Sequence, residues 1–368
     1  MTEPLNVALS VDALSPRLTG IGRYCLELAG GLPDAAGIGR VSYFSGNNWI
    51  KHPEGMLHEH WQLTGSRWQR RLKNWRGRFN ARRAIVHSPN YFLPNWADSG
   101  IVTVHDLSVL AYPETHPVER VRDFERRFQQ TLDRSAAVIT DSETIRHEVI
   151  ESLGIRPEQV FAVPLGIRPP PADAPGFATV LASHGLRPDG YTLCVSTFEP
   201  RKRIDRLIDA YAMLAPELRR AFPLVLVGAA GWRNTLLNDR IDQAQAAGWL
   251  RRLDFVPDET RDALYRGARL FVYPSLYEGF GLPPLEAMQH GVPTLISDAA
   301  TLMEVTQGAA RSVNVEDRLG FAVHLAEGLE DDTWRRSAGP AGQRVAEGYT
   351  WTECTTRTVA VYRRIAGR

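Results

Sequence analysis

Two glutamates, Glu278 and Glu286, sit in the stretch SLYEGFGLPPLEAM, with two glycines and two adjacent prolines between them. Paired carboxylates are the equipment of a glycoside hydrolase, which sets them across a sugar bond at a defined separation. The backbone between these two argues for different chemistry. LFVYPS ahead of the pair reads as a strand, and LEAMQHG behind it as a helix stopped by Gly291. Proline suits a first helical turn, where its missing N–H would be unpaired anyway, so Pro283 and Pro284 mark the helix start and Glu286 is expected in the first turn. Gly279–Leu282 then forms a loop running into a helix N-terminus. Such a place binds anions through backbone N–H groups and the helix dipole, and glycine permits close approach. A carboxylate beside a phosphate turns to hydroxyls instead, which sugar rings flanking a diphosphate would supply. The plainer alternative is that Glu286 only complements the helix dipole and Glu278 is a solvated loop residue.

The elements that must position this stretch recur along the chain. LNVALSVD, RVSYFSG, AIVHSP, IVTVHD, AAVITDS and VFAVPLG are short apolar runs in the first half; YTLCVST, PLVLVG, LDFVP, ARLFVYPS and GVPTLISD repeat the style in the second. Amphipathic helical patterns lie between several of them, which implies βαβ units and parallel sheets. At 368 residues two domains are expected. PLGIRPPPADAPGF, Pro164–Phe177, reads as an exposed linker between them. Ligands of such sheets bind at the carboxyl ends of strands, and a cleft between two such domains is the default site. Net charge of +1 provides no global field for nucleic acid. Cys25, Cys194 and Cys354 form no CxxC pair, which argues against a disulfide framework or zinc cage and suits a reducing cytosol. No apolar run reaches spanning length and the N-terminus lacks a signal-peptide pattern, so a cytoplasmic protein is expected, with any membrane association peripheral.

EGFGLPPLE resembles the E-x7-E signature of retaining glycosyltransferases of the GT-B fold, in the large family known as GT4. VSTFEPRKRIDRLIDAY resembles that family's strand-loop-helix with its Arg-Lys pair, LTGIGRYCLEL its N-terminal glycine loop, and TVHDLSVL its His-bearing strand end. GVPTLISDAATLMEV and YTWTECTTRTVAVYRRI also fit, in family order over nearly the whole chain. The resemblance implies an α/β, GT-B architecture of two Rossmann-like domains facing a central cleft: an acceptor domain at 1–167, a nucleotide-sugar donor domain at 178–350, and a helix at 351–368 returning to the first. It implies catalytic roles for His105, Arg201, Lys202 and Glu278. Glu278 would accept from donor-sugar hydroxyls and Glu286 from the ribose; Arg201 and Lys202 would hold the diphosphate; His105 would sit by the reacting carbon. Phe280, Gly281 and Leu282 would offer N–H groups to the distal phosphate or sugar, Val256 would meet the base through its backbone, and Gly20, Gly22 and Thr197 complete the donor site.

Taken singly, these residues have plainer alternatives. Arg201 and Lys202 could be a solvated helix start, His105 with Asp106 a structural pair capping a turn, and Gly20 and Gly22 turn residues before a helix. GIGRYC lacks the third glycine of a dinucleotide fingerprint. Ser196 stands where the family often has glycine, and Arg203 where a small or amide residue is frequent.

The reaction implied is sugar transfer from a nucleotide diphosphate donor with retained configuration, by front-face substitution, without metal or cofactor. Bacterial mannosyl- and rhamnosyltransferases of O-antigen or exopolysaccharide synthesis are the nearest resemblance, so GDP-mannose is the first donor expected, ahead of GDP- or dTDP-rhamnose and UDP-sugars. The acceptor would be a saccharide or polyprenyl-linked saccharide, with Asn90, Tyr91 and Phe92 as candidate contacts. A nucleotide-sugar epimerase and a non-catalytic nucleotide-sugar-binding subunit of the same architecture are the alternatives.

HWQLTGSRWQRRLKNWRGRFNARR, His60–Arg83, stands apart. Trp68, Leu72, Trp75 and Phe79 fall on one helical face among Arg67, Arg70, Arg71, Lys73, Arg76 and Arg78. Trp68, Arg71, Trp75 and Arg78 are candidate contacts to an anionic membrane surface on the inner face of the cytoplasmic membrane. The alternative is an ordinary surface helix packing its tryptophans on the sheet. Nucleic acid is not expected, since the rest of the chain has balanced charge.

Overall fold

Leu224–Val227 shows how the sequence builds its sheets. All four residues are buried, because both faces of the strand are covered. Leu224 and Leu226 enter one apolar cluster with Cys194, Leu270 and Val272, while Val225 and Val227 enter another with Leu193, Phe271 and Tyr273. Alternation of side chains along each strand thus feeds two cores from one sheet.

The computed structural model describes residues 3–62, 66–170, 176–229 and 235–367. Residues 171–175 of the expected linker and 63–65 of the basic aromatic stretch lie outside the described residues. The chain divides into two units: Met1–Ala111, Val118–Gly166 and Tyr349–Arg368 form the first, Tyr112–Pro117 and Ile167–Gly348 the second.

The first unit holds a seven-stranded sheet of order β3-β2-β1-β4-β5-β6-β7. Its strands are β1 (Leu5–Ser10), β2 (Ile38–Ser45), β3 (Asn48–Ile50), β4 (Ile85–Ser88), β5 (Gly100–Val104), β6 (Ser135–Thr140) and β7 (Val160–Ala162). All pairings are parallel except β2 with β3, a short antiparallel hairpin at the edge that the apolar pattern did not announce. The helix Trp351–Ala366 belongs to this unit. Thr350 caps it, accepting from Glu353 N at 3.1 Å. Tyr362 on it reaches His87 of β4, Oη to Nδ1 at 2.7 Å.

The second unit holds a six-stranded parallel sheet of order β10-β9-β8-β11-β12-β13. Its strands are β8 (Thr192–Val195), β9 (Leu224–Val227), β10 (Leu250–Leu253), β11 (Leu270–Tyr273), β12 (Thr294–Ser297) and β13 (Arg311–Val313). Strand order reverses between β8 and β11, the switch point where ligands of such sheets bind.

Three expectations need correction. LDFVP is not itself the strand: β10 ends at Leu253, and Val256 lies in the loop beyond it. Arg251 and Arg252 hid β10 because it is an edge strand, where charge is tolerated and an apolar run is not required. The linker is not exposed at its start: Leu165 and Ile167 are buried, and exposure begins at Arg168. The segment Tyr112–Pro117 groups with the second unit, where Tyr112 packs on Tyr277 with ring centroids 5.2 Å apart.

Candidate functional site

Two loops leave neighbouring strands at the switch point of the second sheet. The loop after β8 carries Arg201 and Lys202 in a short 3-10 turn, Pro200–Lys202; the loop after β11 carries Glu278. Leu276 N donates to Arg201 O at 2.9 Å and ties the loops together. Neither the solvated helix start nor the solvated loop residue survives this arrangement, since Arg201, Lys202 and Glu278 are all buried.

What holds these charges in the interior is a cage of opposite signs. Lys202 Nζ donates to Glu278 Oε1 at 2.5 Å and to Tyr273 Oη at 3.3 Å. Arg201 Nη1 donates to the Tyr277 carbonyl at 2.7 Å and lies 3.7 Å from Glu278 Oε2. Arg201 Nη2 donates to Glu199 Oε1 at 3.2 Å, which is also 4.0 Å from Lys202 Nζ. Burial pushes the Glu278 carboxyl upward in pKa, but Lys202 and Arg201 pull it down further, and the net direction is downward. Glu278 is therefore ionised at neutral pH. Two cations face two carboxylates, so the cage is close to neutral as it stands. Glu199, in TFEPRK, was not among the predicted residues; its place beside the Arg-Lys pair was the available signal.

The loop then turns into the helix Leu282–Gln289. Gly281 is its N-cap at φ 103°, and a Cβ there would stand 2.5 Å from Leu302 Cδ2, so this position requires glycine. The helix begins one residue before the prolines, and Glu286 is beyond its first turn, not in it. No side-chain hydrogen bond caps this end, and because Pro283 and Pro284 carry no N–H, Leu282 supplies the one backbone donor of the first three helical positions. Phe280 is buried there.

Glu286 is oriented from the neighbouring helix Asp258–Gly267: Tyr265 Oη donates to Glu286 Oε2 at 2.8 Å. Tyr265 is fully buried, stacked on His290 at 6.0 Å and held well above its usual pKa, first by burial and then by Glu286, so it remains a donor. Arg261, from the same helix, lies close enough to Glu286 to feel its charge, and its Nη1 is 3.1 Å from Asp258 Oδ1. Tyr265, Asp258 and Arg261 were missed because their roles depend on a helix packing beside the motif. Val256 is half-buried ahead of this helix and rests on the second sheet's core. Thr197 is exposed and its hydroxyl bonds Glu199 Oε1 at 3.2 Å.

The two departures from the family pattern have local accounts. Ser196 donates its hydroxyl to the Thr197 carbonyl at 3.0 Å. Arg203 adopts a left-handed conformation at φ 51° and turns to Glu316, Nε to Oε1 at 2.9 Å.

His105 lies in the first unit, one residue beyond β5, and is buried. Its partner is not Asp106 but Asp141, one residue beyond β6: Nδ1 is 2.7 Å from Asp141 Oδ2 and Nε2 is 2.9 Å from the Pro89 carbonyl. Sheet register explains this, since Val104 pairs with Thr140 and the next residues emerge side by side. Asp106 caps the following turn instead, accepting from Ser108 N and Oγ at 2.9 and 2.7 Å. Burial lowers the His105 pKa, but Asp141 and the Pro89 carbonyl raise it more, for a net rise. Both ring nitrogens face acceptors, which favours the imidazolium; Asp141 is lifted by burial while His105 pulls it down. A folded-state pKa above the unfolded value makes this pair stabilise the fold fully below about pH 6.5, with loss as pH rises through the folded value. Thermal unfolding across pH 6 to 9 should therefore show a steeper decline in Tm for the wild type than for Asp141→Asn. Equal slopes would show that His105 is not held as a cation.

Tyr91 packs edge-on against His105 at 6.0 Å and holds φ 47°, a conformation uncommon for a bulky residue. Phe92 carries the Arg127 guanidinium 4.2 Å above its ring, and Asn90 is half-buried. Gly20 opens the helix Gly20–Gly31 and is exposed; Gly22 is buried, with its N–H taken by Thr19 Oγ1 at 3.2 Å. The structure thus brings Arg201, Lys202, Glu278, Phe280, Gly281, Leu282 and Glu286 together in the second unit, while His105, Gly20, Gly22, Asn90, Tyr91 and Phe92 belong to the first.

Comparison with known proteins agrees with this layout. Residues 182–344 match the family described as Glycosyl transferases group 1. The chain is 33% identical over 379 residues to an O-antigen chain mannosyltransferase B of Escherichia coli, covering 98% of this chain and 100% of the relative. It is 28% identical over 292 residues to a serotype-specific mannosyltransferase WbdA of Escherichia coli, covering 76% of this chain and 36% of that protein. Among solved structures, a sucrose-phosphate synthase from Thermosynechococcus elongatus superposes with a TM-score of 0.74 at 21% identity, over 99% of both chains. WaaG, a glycosyltransferase involved in lipopolysaccharide biosynthesis, does so with a TM-score of 0.71 at 15% identity, over 96% of this chain and 98% of that one. The two parallel-sheet α/β units, the E-x7-E loop and the full-length match to a curated relative place the chain in the group 1 glycosyltransferases of the GT-B fold.

Proposed function

We propose that this glycosyltransferase moves mannose from GDP-mannose to a saccharide or polyprenyl-linked saccharide acceptor in surface-polysaccharide synthesis, with retention and without metal or cofactor. The observation that carries the reading is the order of groups along the donor loop. Arg201 and Lys202 stand at Glu278, and Tyr265 and Arg261 stand at Glu286, eight residues further along the chain. A nucleotide sugar has the same order: hexose and diphosphate, then ribose, then base. The mannosyltransferase names of the Escherichia coli relatives support the sugar.

In this reading the anomeric C–O bond to the diphosphate breaks with its electron pair left on phosphate oxygen. The acceptor oxygen bonds the same face of the sugar, and its proton passes to a leaving phosphate oxygen. Arg201, Lys202 and the amides at Phe280, Gly281 and Leu282 stabilise the charge that develops on the leaving group. Glu278 accepts from sugar hydroxyls and Glu286 from the ribose. Val256, Thr197, Gly20 and Gly22 are proposed donor contacts, and Asn90, Tyr91 and Phe92 acceptor contacts. His105, with both nitrogens bonded, contributes a fixed positive charge rather than proton exchange.

Support for guanine comes from Arg261 and Asp258. Arg261 Nε is buried without a hydrogen-bond partner among the described residues, and Asp258 lies beside it. A guanidinium matches the O6/N7 edge of guanine and a carboxylate its N1/N2 donors. Thermal-shift and calorimetric titration should rank GDP above UDP, ADP and dTDP by about tenfold or more, and Arg261→Met should remove that preference. The decisive assay is mannosyl transfer from labelled GDP-mannose to an O-antigen-type mannoside, with and without EDTA. Isomerised free nucleotide sugar, binding without turnover, or preference for a UDP-sugar would each sink the reading.

A further inference from the structure

The helix Arg67–Ala81 is amphipathic in the reverse sense to an ordinary surface helix. Its tryptophans do not pack on the sheet. Trp68 is 73% exposed, Trp75 65%, Phe79 60% and Leu72 38%, and the rings of Trp75 and Phe79 stack at 6.0 Å. The helix is held by another edge. Trp49 N of β3 donates to Asn74 Oδ1 at 3.3 Å; Gly77 abuts the Trp49 indole so closely that an added Cβ would stand 2.1 Å from Nε1; Ala81 is buried. At about 100° per residue, the aromatic stripe spans an arc of roughly 60° and lies roughly opposite the arc of Asn74, Gly77 and Ala81. Gly77 and Ala81 seat the helix on the protein because they are small, and the large apolar side chains are left outside.

A contiguous apolar patch of this kind marks an interaction surface. Its surroundings select the partner. The helix RWQRRLKNWRGRFNA contains no acidic residue, and Arg67, Arg71, Lys73 and Arg78 have exposed side chains beside the stripe. A second copy seated on this face would bring like charges against like, whereas an anionic surface would pair with them. Tryptophan and phenylalanine flanked by arginine and lysine suit the boundary between lipid headgroups and acyl chains. Among the described residues no helix is long and apolar enough to cross a membrane. We propose that the helix Arg67–Ala81 lies in the interface of a bilayer bearing anionic headgroups, inserting Trp68, Leu72, Trp75 and Phe79 while its cations contact the headgroups. In the context of the proposed function this holds the enzyme where a polyprenyl-linked acceptor is found, and it rests on that reading only for its purpose.

Sedimentation of the whole protein with phosphatidylcholine vesicles, alone or with about one third phosphatidylglycerol, tests the surface without any assay of transfer. Binding is expected to the mixed vesicles, with a blue shift of tryptophan emission, and it should weaken at least tenfold between about 50 and 500 mM salt. Trp68→Ser/Trp75→Ser should lose the binding by about tenfold or more at unchanged Tm; Arg71→Gln/Arg78→Gln should lose mainly its salt dependence. Because these side chains are exposed, the variants should fold. Absence of binding at low salt, or full binding by the tryptophan variant, would overturn the proposal. A concentration-dependent dimer in lipid-free solution that the tryptophan variant abolishes would assign the face to a second copy, and would overturn it too. Mannosyl transfer to a water-soluble acceptor should be unchanged in Trp68→Ser/Trp75→Ser, so failure of the membrane inference and failure of the donor reading separate cleanly.

Discussion

Replacing Lys202 by alanine should lower kcat/KM for sugar transfer by about a hundred- to a thousandfold. That is the scale seen when a preorganised donor to developing negative charge is removed from a water-poor site. Lys202 is buried beside Arg201 and paired with Glu278, so once a diphosphate has taken the place of that carboxylate the ammonium is already in position when charge accumulates on the leaving group. The substitution also removes the close partner of Glu278. Breaking a buried pair by truncating one side costs roughly 3–5 kcal/mol, because the remaining charge is left uncompensated. Loss of activity alone would then be ambiguous. The double variant Lys202→Met/Glu278→Gln, compared with Glu278→Gln alone, resolves this: a neutral buried pair should recover much of the lost Tm while transfer stays about tenfold or more below that of Glu278→Gln. Activity that returned with Tm to the level of Glu278→Gln alone would show that Lys202 serves the fold and not the reaction.

Glu278→Gln should separate product binding from turnover. Glu278 neutralises the cation that a diphosphate would use, with Oε1 2.5 Å from Lys202 Nζ. In the proposed reading an incoming diphosphate displaces that carboxylate, which then becomes available to sugar hydroxyls. Removing its charge frees Lys202 and removes repulsion of the phosphate, so nucleoside diphosphate should bind about tenfold more tightly. Transfer should fall by about ten- to a hundredfold, because a charged acceptor for the sugar hydroxyls is lost. Calorimetry with GDP and steady-state rates measure the two effects on the same protein. Weaker GDP binding in this variant would rule out the displacement.

Much of this layout was legible in the residues. Apolar runs such as LVLV and LFVY can be satisfied only as strands covered on both faces, and the helices between them force parallel order. EGFGLPPLE announced a glycine loop entering a helix because only glycine takes the conformation of Gly281 and because proline fits a first turn. Other features had no local signature. β10 was concealed by Arg251 and Arg252, and β3 by its brevity.

Glu278, Glu286, Arg201 and Lys202 as candidates, and the glycine loop that enters a helix between the glutamates, were therefore set by sequence, since backbone preference and charge are properties of the local chain. Which charges meet was decided by tertiary structure. His105 takes Asp141 rather than its neighbour Asp106 because adjacent parallel strands deliver the two residues side by side. Glu278 meets Lys202 because two loops leave the sheet at one switch point. The aromatic face of Arg67–Ala81 could equally have packed inward on its pattern alone; Gly77 against Trp49 turned it outward, since the helix seats where its side chains are smallest.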